Sequence, residues 1–507
     1  MKYLLGIDLG TSGLKTIIMD EMGRVVASSL IEYSLAQPES GWAEQNPEDW
    51  WQAALKSIRQ VLEKCGIAAN DIKGIGLSGQ MHGLVLLDKQ KKVLRPAIIW
   101  CDQRTAKEVE ELTQLIGREK VITITGNPVV AGFTAAKLQW VKNNEPQIYN
   151  EIHQVLLPKD YLRNCLTNNF ATEVSDASGT GWLDVRKRQW SAELLEILKL
   201  PLEWLPQVYE SHEVSGYLTE EAAILTGLIA GTPIVGGAGD QAAGAIGNGI
   251  VASGVASVTI GTSGVVFAST NAVKIDPLGR VHTFCHAIPN TWHTMGVTQA
   301  AGLSLRWYRD QLGEDVRALA EQTGRDVYEL MFEMLKDVPI GSDRLIYLPY
   351  LMGERTPHLD SSARGVFFGL ALRHGKPEML RAIVEGVSFS LRECLEILQD
   401  LGIDCSELRA SGGGAKSMYW RHMLADCFGM SINTVGVEEG PAYGAAILAG
   451  VGTGVFTSVP AAVEQIVKTK EKIIPNIANK LSYDKYFQLY KKLYPDLRES
   501  FQTLAEL

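Results

Sequence analysis

One short string occurs twice, each time at the end of an apolar run. Gly10-Thr11-Ser12-Gly13 follows Tyr3–Asp8, and Gly261-Thr262-Ser263-Gly264 follows Val255–Ile260, half a chain later. A tight turn of small residues exposes backbone N–H groups and hydroxyls that cradle phosphate oxygens. Two such turns would clasp a polyphosphate from both sides. Asp8, at the end of the first run, is of the type that holds Mg²⁺ through water. A third string is Gly236-Gly-Ala-Gly239-Asp240-Gln241-Ala-Ala-Gly244, and Asp240 is the only charged residue between Ala222 and Val273. Glycine lets backbone approach a substrate closely. A carboxylate isolated there reads either as acceptor of a proton from a hydroxyl nucleophile or as the N-cap of a helix starting at Gln241.

Two more strings carry polar groups beside glycine. Gly412-Gly413-Gly414-Ala415 lies between a strand and a helix, with Glu439-Gly-Pro-Ala-Tyr-Gly-Ala445 downstream. That order suits approach of a nucleotide, or a packing turn. The Gly412 string is not GxGxxG, and no Walker lysine string is present. Ser78-Gly79-Gln80-Met81-His82-Gly83 follows another apolar run. Gln80 and His82 can hydrogen-bond a polyhydroxylated ligand; a structural histidine is the alternative. Asp102 and Arg104 read as functional or as an exposed ion pair.

The elements that would position these groups follow from local pattern. Tyr3–Asp8, Leu14–Met19 and Val25–Ile31 are predicted strands separated by glycine turns. Asn46-Pro47 opens a helix over 47–64. Ile72–Ser78, Val85–Asp88 and Ile98–Trp100 are further strands, and helices are predicted at 103–116, 134–144 and 145–151. Glu378–Leu398 has helical apolar spacing. Leu408–Ser411, the three glycines and a helix over 417–428 read as strand, loop, helix. A last helix covers 484–505. The strand–GTSG–strand repeat implies two α/β lobes with a cleft between them, divided near residues 244–255.

Composition agrees with a folded enzyme. The chain has 507 residues, 46% apolar and 21% charged, which excludes bulk disorder. Its net charge of −10 argues against a general nucleic-acid binder and favours cytosolic solubility. The seven cysteines show no CxxC or zinc spacing. MKYLLGIDLG lacks a signal-peptide core, and the Gly/Ser/Thr-rich stretch 222–273 is a poor membrane helix. Glycine is in surplus, 49 residues in all, concentrated at 222–273 and 412–454. Such a surplus is expected of tight turns or of close backbone approaches to a ligand.

Together these strings resemble the FGGY carbohydrate kinases, of the actin/hexokinase/Hsp70 ATPase fold. Both family signatures are present: Gly132-Phe-Thr134 through Lys137 and Trp140 to Asn144, and Gly365-Val-Phe-Phe-Gly369-Leu370 followed by Glu378 to Glu385. The SGQMHG, WCDQRT, Leu157–Tyr161 and Leu348–His358 segments are most similar to the family's ketopentose kinases. The resemblance implies two ribonuclease H-like lobes, 1–248 and 249–507, with mixed sheets, flanking helices and a ligand cleft between the lobes. It implies ATP-dependent phosphorylation of a ketopentose in the cytoplasm, with ATP and Mg²⁺ and neither nucleic acid nor membrane as partner; a homodimer is compatible with it. Asp240 would be the catalytic base, and Asp8 with Asp240 would serve the metal. Gln80, Met81, His82, Asp240 and Gln241 would meet the sugar. Gly10, Thr11, Ser12, Gly261 and Thr262 would serve the phosphates, and Gly413, Gly414 and Ala415 the adenosine. Another sugar or polyol kinase of the family, or an actin- or Hsp70-like ATPase acting on protein partners, are the competing readings.

Overall fold

The structure, a computed structural model, describes residues 1–436 and 439–507. Two seven-stranded mixed sheets organise it. In the first, Tyr3–Leu9, Gly13–Asp20 and Val25–Glu32 form an antiparallel meander, and Ile72–Gly79 adds parallel to Tyr3–Leu9. Pro233–Val235 and the short strand Ala238–Gly239 both pair with Ile72–Gly79. The second sheet repeats the plan. Val255–Ile260 and Gly264–Thr270 make the hairpin, and Glu407–Ser411 runs parallel to Val255–Ile260. The duplicated GTSG string therefore makes the same turn of the same hairpin in each sheet.

Helices cover the first sheet on both faces. Pro47–Cys65 begins where the Asn46 side chain accepts the Glu48 N–H, and it buries Trp50, Ala54, Ile58 and Val61. The other face is covered by Gly440–Gly452, a helix from the far end of the chain. It lies backbone against backbone: a Cβ on Gly76 would fall 1.9 Å from the Ala445 carbonyl oxygen, and one on Gly444 1.9 Å from that of Ala243. Within the 412–454 concentration, Gly444 and Gly452 are thus packing glycines, whereas Gly412, Gly413, Gly414 and Gly440 line cavities. The second sheet is backed by the helix Lys376–Asp400, and the C-terminal helix Ile477–Glu506 packs outside that helix, with Tyr483, Phe487 and Tyr490 around Phe389.

Several boundaries differ from the sequence reading for local reasons. The helix read from 103 begins at Ala106, because the Asp102 carboxylate takes the Arg104 N–H in a turn. Arg118–Thr125 forms a helix that the sequence reading leaves out, entered through Gly117. The last helix starts at Ile477, earlier than 484, where the Asn476 side chain accepts the Ala478 and Asn479 N–H groups. Among the described residues no helix is long and apolar enough to cross a membrane.

Candidate active site

Register across the first sheet brings two distant carboxylates together. Asp8 pairs with Ser78, and Ser78 with Ala238; in the next row stand Leu9, Gly79 and Gly239. Asp240 follows Gly239 directly, so Asp8 and Asp240 emerge at the same C-terminal ends of parallel strands, where α/β sheets bind ligands. The Ser78 hydroxyl donates to Asp8 Oδ1 at 2.9 Å, and the Gln241 N–H donates to Asp240 Oδ1 at 2.7 Å. Gly239, not Asp240, is the cap of the helix Asp240–Gly247; the N-cap reading of Asp240 is thereby corrected. Burial, reinforced by the Asp8 charge, pushes the Asp240 carboxyl up to about 7. Asp8 is pushed up to about 6 by burial, against the pull of Ser78 and Lys15. Among the described residues neither carboxylate has a cation ion-paired to it; Lys15 pairs with Glu439.

Beside this pair lies the turn Gln80-Met81-His82. Gln80 is 1% exposed. Its Nε2 donates to Gln45 Oε1 at 2.9 Å, and its Oε1 accepts from the Thr11 hydroxyl at 3.4 Å. The Trp100 indole donates to that same Thr11 oxygen at 2.8 Å, so Gln80 and Trp100 orient the first GTSG turn. Met81 lies across the end of the short strand: a Cβ on Gly239 would meet its Cγ at 2.8 Å. His82 has left-handed backbone, φ 70°, and its ring stacks on Phe133 with centroids 4.3 Å apart. Nδ1 lies 2.8 Å from the Gly179 carbonyl. A carbonyl only accepts, so Nδ1 carries the hydrogen and Nε2 keeps a lone pair. Burial holds His82 well below the ordinary imidazole range, which keeps the ring neutral.

The supports of this turn were not derivable as such from sequence. Lys137, fully buried, donates to the His82 carbonyl at 2.8 Å and the Gly132 carbonyl at 2.7 Å, and Thr134 donates to the His82 carbonyl at 3.1 Å. All lie in the 132–144 segment, so its resemblance to the family signature is the signal that points to them. Arg355, from the far half of the chain, approaches Gly132, with Nη2 3.6 Å from a Cβ placed there. Asp102 and Arg104 are not an exposed pair, as expected above, but a buried one. Arg104 Nη2 is 2.7 Å from Asp102 and Nη1 is 2.7 Å from Glu44, both side chains almost wholly covered. The guanidinium lies 3.6 Å over the Trp42 ring, bracing the loop that carries Trp100.

The second sheet supplies two adjoining cavities. One, about 980 Å³, is lined by Gly261, Thr262, Gly302, Gly413, Gly414 and Trp420 among others. The other, about 880 Å³, holds Asp240 and Gln241 against Gly412, Gly413 and Ala415. Gly413 and Lys416 line both. The structure thus gathers Asp240 and Gln241 with the glycine string, and the second GTSG turn with the same string. Gly10, Thr11 and Ser12 lie outside both linings, beside Gln80. The Gly261 turn is fixed by Gly302 N–H donating to the Gly261 carbonyl at 2.8 Å and by Ala301 and Leu303 N–H donating to that of Thr262.

Comparison with known proteins agrees with this geometry. The N-terminal domain of the FGGY family of carbohydrate kinases matches residues 3–247, and its C-terminal domain residues 256–453. The chain is 40% identical over 499 residues to a xylulose kinase from Bacillus subtilis, covering 98% of each chain. It is 40% identical to a xylulose kinase from Escherichia coli over 97% of this chain and 99% of that one. A crystal structure of a "xyloylose kinase" from Brucella ovis superposes with a TM-score of 0.89 at 40% identity, covering 98% and 99% of the two chains. Two hairpin-headed lobes of actin-like ATPase fold, a carboxylate pair at the strand ends and these end-to-end likenesses make the chain a member of the FGGY family of carbohydrate kinases.

Proposed function

We propose that the protein transfers the γ-phosphoryl group of ATP to the terminal hydroxyl of D-xylulose, giving D-xylulose 5-phosphate. The observation that carries the choice of sugar is the 40% identity to xylulose kinases along nearly the whole of both chains. The geometry supports the rest. Asp240 is the general base: Gln241 N–H occupies Oδ1, so Oδ2 takes the hydroxyl proton. A carboxyl whose proton affinity burial has brought near neutrality is well matched to that task. His82, neutral, accepts a sugar hydroxyl at Nε2, while Met81, Gln80 and Gln241 complete the wall. Gly10, Thr11 and Ser12 face Gly261 and Thr262 across the phosphates, and Gly413, Gly414 and Ala415 meet the adenosine. The lobes are 1–248 and 249–507.

The carboxylate pair suits Mg²⁺. Asp8 and Asp240 lack an ion-paired cation among the described residues, and one or two carboxylates with phosphate oxygens and waters are an ordinary set for this ion. When bound, Mg²⁺ neutralises charge on the phosphates. The protein's own contribution is to hold nucleophile, base and phosphoryl group in line and to keep water out. Cytoplasmic residence is supported by seven free thiols. A homodimer is part of the same proposal, and light scattering on the purified chain would read it.

A panel of D-xylulose, L-ribulose, gluconate, L-fuculose and glycerol, with ATP and Mg²⁺ and coupled detection of ADP, tests the reading. The highest kcat/KM is expected for D-xylulose. Rapid turnover of another sugar with none of D-xylulose would overturn the substrate, and fast sugar-independent ATP hydrolysis would overturn the kinase.

A further inference from the structure

Behind the strand end that carries Asp240 lies a fully buried ionic cluster. Lys159 Nζ is 2.9 Å from Asp160 Oδ1, 3.4 Å from Asp176 Oδ2 and 3.6 Å from Glu173 Oε1, and Arg163 Nη2 is 3.7 Å from Asp160. None of these side chains has exposed surface. Burying five charged groups is costly, and packing alone would be served as well by apolar side chains. What distinguishes the cluster is where its hydrogen bonds go.

Two arms reach the segment that delivers Asp240. Arg163 donates to the Val235 and Gly236 carbonyls, each at 2.6 Å. Glu173 accepts the Ser175 hydroxyl at 3.0 Å and the Ser175 N–H at 2.7 Å. With its hydrogen given to Glu173, the Ser175 oxygen turns its lone pairs outward and accepts the Gly239 N–H at 3.1 Å. Gly239 is the last residue before Asp240. We infer that Ser175 is a positioning residue for phosphoryl transfer, holding the Gly239–Asp240 peptide at the depth at which Asp240 meets the sugar hydroxyl, with Glu173 and Lys159 fixing Ser175 from behind. A displacement of the base by about 1 Å costs up to roughly a hundredfold in rate, whereas no residue of the short helix Val174–Ala177 lines either cavity.

This inference rests on the reading of Asp240 as the base, and a double-mutant cycle separates the two. Ser175→Ala, Ser175→Thr, Asp240→Asn and the double variant Ser175→Ala/Asp240→Asn are assayed in the full-length enzyme with ketose, ATP and Mg²⁺. Ser175→Ala is expected to lower kcat roughly tenfold or more, with KM for ATP within about twofold of the parent. Ser175→Thr, which keeps the hydroxyl, is expected to retain most of kcat. In the Asp240→Asn background, Ser175→Ala is expected to change the residual rate less than about twofold, because there is no base left to position. An equal loss in both backgrounds would show a general structural role and overturn the inference, as would a parental kcat in Ser175→Ala. Near-parental activity of Asp240→Asn alone would instead overturn the base reading.

Discussion

At the scale of single residues, the carboxylate pair governs both chemistry and stability. Asp240 must be ionised to accept a proton, and its carboxyl sits near 7. The kcat/KM of the free enzyme is therefore expected to fall below about pH 7, with a slope of one in log kcat/KM against pH on the acid limb. A flat profile down to pH 5 would contradict the assignment. Asp240→Asn is expected to lower kcat by roughly a hundredfold to ten-thousandfold, the range a positioned base supplies, while sugar binding persists. The sign of the stability effect follows from linkage. Both folded carboxyls are raised above the ordinary value of 3.8, so the folded state binds more protons than the unfolded one and loses stability as pH rises through about 4 to 7. Asp240→Asn is accordingly expected to raise the thermal midpoint more at pH 8 than at pH 5, by calorimetry at both values. His82→Ala is expected to raise KM for the ketose more than for ATP, in steady-state assays varying each substrate; equal effects would mark the ring as scaffold.

At the scale of elements, what was legible in the sequence is what is local. The two GTSG hairpins, the Asn46-capped helix and the strand ending in Gly79 are each specified by residues within a few positions of one another, and the structure shows them with boundaries moved by one or two residues. The site's partners across the chain were not legible. That Asp102 and Arg104 are buried depends on Trp42 and Glu44, some sixty positions away in sequence, and no spacing rule anticipates a ring lying over a guanidinium. Nothing local marks Lys137 as buried, yet the carbonyls of Gly132 and His82 surround its amine. Lys137→Met is therefore expected to loosen the His82 turn, raising ketose KM several-fold with a lower thermal midpoint, while KM for ATP stays near the parent value. The glycine surplus was legible as a surplus but not in its purpose, because a close helix–sheet approach and a ligand approach demand the same residue. Gly76→Ala separates them: its methyl would sit on the Ala445 carbonyl, and the expected cost of about 1–3 kcal/mol, read by urea unfolding, involves no loss of nucleotide contact.

At the scale of the whole molecule, the two lobes are related by a repeated plan yet are not independent. Each has a hairpin, a parallel third strand and a glycine-flanked turn; the cavity that holds Asp240 lies between the end of the first sheet and the second sheet, and the adjoining one is lined by residues of the second half alone. An isolated fragment of residues 1–248 is expected to be insoluble or molten by near-UV circular dichroism, since it lacks the helix Gly440–Gly452 that covers one face of its sheet. A soluble, cooperatively folded fragment would show that this face tolerates water.

That crossing helix also sets a schedule for synthesis. The strands Tyr3–Leu9 and Ile72–Gly79 leave the ribosome early, but the layer that belongs on their bare face is encoded by residues 440–452. At about 5–20 residues per second, the nascent chain carries that uncovered apolar surface for roughly twenty seconds to over a minute before residues 440–452 arrive to close it. A chain so ordered completes its first domain only after most of its second has been made, and its yield in a cell depends on what shields that face in the interval.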